Sequence, residues 1–98
     1  MGADRNQKQA ELMDRTNSIG IDFLRTDIET ALTFILVAET SSSLESRERN
    51  YGKALEGYRT VLRFLPRVMP SPEELASMHN KLEQIRVKLE KAGVALDD

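Results

Sequence analysis

The chain contains no cysteine and no tryptophan, and only one histidine and five aromatic residues among 98. Without cysteine there is no disulfide framework, thiolate nucleophile, zinc knuckle or iron-sulfur site, so a small domain must hold together without covalent staples. That absence favours a reducing compartment, and the chain reads as cytoplasmic. His79 stands alone with no HxxxH or HExxH spacing, so no metal site is expected. No sign of charge dominates either. Fourteen basic residues face 16 acidic ones for a net charge of -2, whereas nucleic-acid binders usually carry a marked basic excess. Nucleic acid is not expected as a partner, and a small regulatory nucleic-acid-binding protein is the least supported reading.

Long apolar runs are also missing. Phe34 to Ala38 is the longest, far short of the roughly 20 residues that cross a bilayer, so no membrane partner is expected. The opening MGADRNQKQAELMDR has no apolar core of a secretory signal, and Asn6 stands where myristoylation wants Ser or Thr. There is no GxGxxG, P-loop lysine or GxSxG elbow, so nucleotide binding and serine hydrolysis have no support. Adjacent carboxylates at Glu73–Glu74 and Asp97–Asp98 are better explained by capping and solvation than by acid/base work. No catalytic residue, cofactor or metal is expected, and the chain is not read as an enzyme.

What is present is helical periodicity. With 40% hydrophobic and 31% charged residues the chain should fold as one small domain. Residues 1–20 have little to bury beyond Ala10, Leu12 and Met13, and Asn17, Ser18 and Gly20 break the pattern; they read as a flexible arm. A first helix is expected from near Asp22, where Leu24, Ile28, Ala31, Ile35 and Ala38 step by 4, 3, 4 and 3. The TFILV segment suits a strand by composition, but no second strand exists to pair with it. Ser42 with Glu45 has capping-box spacing ahead of a second helix from about Leu44 to Leu65. Tyr51, Ala54, Tyr58, Val61 and Leu65 form its stripe, and Gly52 and Gly57 are places where a neighbouring helix can come close. Val68 and Met69 in the PRVMP loop are expected to fold over the end of the core. The third helix has the sharpest start: Ser71 as N-cap, Pro72 at the first helical position, Glu74 closing the capping box. Leu75, Met78, Leu82, Ile85, Leu89 and Ala92 follow, and Gly93 is placed as a left-handed stop. The predicted fold is all-α, an antiparallel three-helix bundle over 21–93 with a tail at 94–98.

Tyr51, Ala54, Tyr58, Val61, Leu62 and Pro66 resemble the second helix of a tetratricopeptide repeat, and NYGKALEGY is similar to the microtubule-interacting and trafficking domain. The likeness covers about a third of the chain, mainly residues 51–66, and the first helix supplies only Ala38 of the repeat's usual pattern. It implies a tetratricopeptide-like hairpin, with the SPEEL helix as its cap, serving protein–protein interaction.

Two interaction features emerge. Phe34, Ile35, Leu36 and Val37 point apolar groups around almost the whole helix, more than two neighbouring helices cover, so Phe34, Leu36 and Val37 are candidate contacts for a homodimer or another protein. Arg59, Arg63 and Arg67 step by four and suit an acidic or amphipathic peptide, although a solvated face explains them as well. The chain is therefore read as a non-catalytic interaction or assembly module.

Overall fold

Strong helix formers begin the chain: Gln7 to Met13 contains Gln, Lys, Ala, Glu, Leu and Met, each within a few tenths of a kcal/mol of the best. In the computed structural model, which describes residues 2–96 with side chains from residue 7, they belong to one long helix. Helix α1 is Gly2–Thr40, α2 is Leu44–Phe64, a 3-10 turn occupies Leu65–Arg67, and α3 is Pro72–Lys91. The described residues contain helices and connections and no strand. The fold is the expected all-α three-helix bundle.

The start of α1 corrects the expectation of a helix beginning near Asp22. A single Gly, Asn or Ser inside a helix costs at most about 1 kcal/mol, which tertiary contacts readily offset. Asn17 and Gly20 both make such contacts with the loop after α2. Thr16 also returns its hydroxyl to the Leu12 carbonyl at 2.9 Å. At about 1.5 Å per residue α1 is close to 60 Å long, and the molecule measures 64 × 23 × 20 Å. Its first third runs beyond the other two helices.

The helices order themselves up, down, up. Gly57 of α2 faces Ala31 and the Asp27 carbonyl, and Lys53 sits over Phe34, so α2 descends as α1 rises. The α3 helix rises with α1: Arg25 bonds Glu74 at 3.1 Å, Lys81 bonds Glu29, and Lys88 bonds Glu39 at 3.1 Å. These half-exposed pairs contribute little stability each, but together they describe a constant axial register. Between the helices lies the core, formed by Leu24, Ile28, Ala31 and Ile35 of α1, Ala54, Tyr58 and Val61 of α2, and Met78, Leu82, Ile85 and Leu89 of α3. The middles of the three stripes meet as their periodicity requires, whereas Tyr51, Leu65 and Leu75 toward their ends are only partly buried and Ala92 is exposed. Asn50 is the one buried polar side chain among the described residues, and its amide donates to the Ser46 carbonyl at 2.8 Å.

The helix ends mostly follow local chemistry. Ser71 and Glu74 form the full capping box, with Glu74 N–H donating to Ser71 Oγ at 3.1 Å and Ser71 N–H to Glu74 Oε1 at 2.9 Å. Gly93 takes φ +82°, and Val94 N–H reaches the Leu89 carbonyl at 3.0 Å, the wrap that ends α3. The N-cap of α2 is Ser43 rather than Ser42: its Oγ accepts from Ser46 N–H at 3.3 Å. Three serines in a row leave local spacing ambiguous, and the turn after Thr40 selects the third. Helix α2 ends at Phe64, one residue short of the expected Leu65, because Pro66 tightens the following turn. Of the two glycines in α2, Gly57 lies at a close helix approach, where a methyl group would stand only 3.4 Å from Ala31 Cβ, while Gly52 faces open space.

Candidate interaction surface

The apolar run at Phe34 to Val37 divides among three environments. Ile35 is fully buried in the core, and Phe34 is half-buried against it with the Lys53 ammonium 5.3 Å from its ring centroid. Only Leu36 and Val37 remain open, 59% and 43% exposed. The α2 helix thus covers more of this circumference than a count of apolar residues suggests, and what is left is a small outward spot.

A larger apolar surface lies at the opposite end of α1. Leu12, Met13, Ile19 and Phe23 are each 60% exposed or more. They share one end of the molecule with Phe64, Val68 and Met69, and two shallow grooves run between α1 and the turn after α2. The groove floored by Ile19, Phe23, Phe64 and Val68 is almost wholly apolar. Arg67 borders it with its guanidinium 5.1 Å from the Phe64 ring centroid, a contact that keeps the cation at the rim.

Two local relationships build this surface. The Asn17 carboxamide bonds both backbone groups of Met69, which holds the loop after α2 against α1. Beside it, Val68 fills the space a side chain at Gly20 would need: a methyl built there stands 2.8 Å from Val68 Cγ1. Val68 therefore folds onto the helix as expected of the loop, but Met69 does not; it is 83% exposed. The core stripe gives no hint of this region, because Leu12, Ile19 and Phe23 lie outside it. Their 12, 16, 19, 23 spacing, with Thr16 as the polar member, is the signal the sequence does carry.

The three arginines are not brought together as one stripe. Arg59 and Arg63 border a shallow groove with Tyr58, Leu62 and Leu96, whereas Arg67 belongs to the α1 groove. Tyr58 is buried, and that burial pushes its hydroxyl above the usual tyrosine range, with Glu83 and Glu90 adding to the effect and Arg86 opposing it. Asp27, half-buried beside α2, is likewise raised by burial. Among the described residues no three His, Asp or Glu side chains converge as metal ligands, and no helix is long and apolar enough to cross a membrane.

Comparison of the chain with models of known families, with curated proteins and with solved structures finds no match.

Proposed function

We propose that this protein is a non-catalytic assembly module that self-associates through α1. The observation that carries the reading is the row of exposed apolar residues Leu12, Ile19 and Phe23, on a face of α1 that the rest of the bundle leaves open while Ile21 of the same segment is buried. Helices of this length gain most of their stability from packing an apolar face, so a projecting one calls for a partner. Surface area supports this. The chain exposes 7108 Å², whereas a compact monomer of 11.1 kDa exposes about 5,700 Å². The excess exceeds the roughly 800 Å² that each partner contributes to a standard stable interface. The resemblance of α2 to a tetratricopeptide helix agrees with it, since such units cover their apolar faces by stacking on neighbours.

A second copy is preferred to an unrelated helix because a self-complementary patch in a two-fold arrangement buries both copies of the apolar face at once. Sedimentation equilibrium of the full chain over a hundredfold concentration range tests the reading. A reversible monomer–dimer transition is expected, and a concentration-independent monomer overturns it.

A further inference from the structure

We infer that the second copy docks antiparallel along α1, with the two-fold axis passing between Thr16 and Ile19. This register rests on the self-association proposed above and adds what that reading leaves open, namely direction and contacts. Leu12, Thr16, Ile19 and Phe23 are spaced 4, 3 and 4, a pattern that reads the same from either end. They lie on one face of a continuous helix and all four are exposed. In an antiparallel helix pair the two kinds of core position alternate across the seam, so Leu12 meets Phe23 of the second copy and Thr16 meets Ile19. Every large apolar residue in the row then gains a neighbour, twice.

Charge selects the direction. Arg15 and Asp22 immediately precede Thr16 and Phe23, which makes them the flanking residues of the seam. Antiparallel pairing in this register sets Arg15 beside Asp22 of the second copy, and the two-fold repeats the pair. Parallel pairing instead sets Arg15 opposite Gly20, with no charge to meet it. Space permits the arrangement: past Phe23 the same face continues as Thr26 and Thr30, both exposed, so the bundle does not block the incoming helix. The polar threonines also explain why the apolar part of the row stops at Phe23. Because the symmetry is closed, the interface yields a dimer and not a filament.

The test measures dimer dissociation and geometry together on the full chain. Arg15→Asp and Asp22→Arg each set like charges against one another at both symmetric sites, and each is expected to weaken the dimer about tenfold, with the double exchange restoring it to within about threefold. Both positions are exposed, and the Asp22–Arg25 pair at 3.9 Å that one reversal breaks is itself open to solvent, so folding is expected to be retained and is checked by circular dichroism. Since the chain has no cysteine, single spin labels report the geometry cleanly. Labels at Lys8→Cys are expected about 30 Å apart and labels at Ser18→Cys about 10–15 Å apart. A dimer that ignores both charge reversals, or one in which the Lys8→Cys labels lie as close as those at Ser18→Cys, overturns the antiparallel register while self-association stands. A monomer at all concentrations overturns both.

Discussion

The side chain of Asn17 grips the backbone of Met69 at both ends: its Nδ2 donates to the Met69 carbonyl at 3.0 Å, and Met69 N–H donates to its Oδ1 at 2.6 Å. One amide thereby supplies an acceptor and a donor to a loop that has no secondary structure to satisfy it. The contact joins residues 52 apart in sequence, and both of them line the groove beside the almost wholly apolar one, together with Leu12, Met13 and Val68.

Asn17→Ala removes both bonds at an exposed site, where water replaces them in part, so a loss of about 1 kcal/mol is expected from chemical denaturation. The sharper readout is hydrogen exchange. Met69 N–H should lose protection while the amides of α3 keep theirs.

Gly20→Ala tests the approach of Val68 to α1. Alanine gains about 1 kcal/mol in helix propensity but brings its methyl to 2.8 Å from Val68 Cγ1. In the wild-type background the crowding should cancel or outweigh that gain; with Val68→Ala the same substitution should stabilise. A double-mutant cycle is expected to show a coupling of about 1 kcal/mol or more.

Substitutions on α1 should separate folding from association. Ile35→Ala empties part of the core and should cost about 2–5 kcal/mol. Leu36→Glu, at a site 59% exposed, should change stability by no more than about 0.5 kcal/mol and leave the proposed dimer intact. Ile19→Glu is equally tolerated by the fold and should yield a monomer, as judged by light scattering.

The capping box gives a pH dependence. Bonding to the Ser71 backbone N–H holds the Glu74 carboxyl below the usual glutamate value, with the Ser71 hydroxyl interaction and Arg25 reinforcing it and partial desolvation opposing it. The folded state therefore favours the ionised form. This stabilisation is present above the unfolded value and is lost as pH falls through the lower folded one. Glu74→Gln cannot titrate, so the stability gap between wild type and variant in urea unfolding should narrow from about pH 7 to about pH 3.

Much of the bundle is legible in the residues. The three stripes identify Leu24 to Ala38, Ala54 to Val61 and Met78 to Leu89 as core because burial follows the 3.6-residue period. Ser71, Pro72, Glu74 and Gly93 announce the ends of α3 through interactions confined to a few neighbouring residues. Counting apolar residues fails at the start of α1. There, helix propensity and a distant loop contact decide the conformation, and neither shows in a hydrophobic pattern.

By itself, then, the sequence determined that this chain is helical, where its core stripes lie and how its last helix begins and stops. Each of those is set by local spacing or by hydrogen bonds across one turn. Only the tertiary structure decided that α1 runs unbroken from Gly2, that Phe34 shelters under Lys53, and that the larger exposed apolar surface gathers around Ile19 and Phe23. Those outcomes depend on which faces the other helices and the Val68–Met69 loop happen to reach. That is a matter of contacts between residues far apart in the chain, such as Asn17 and Met69.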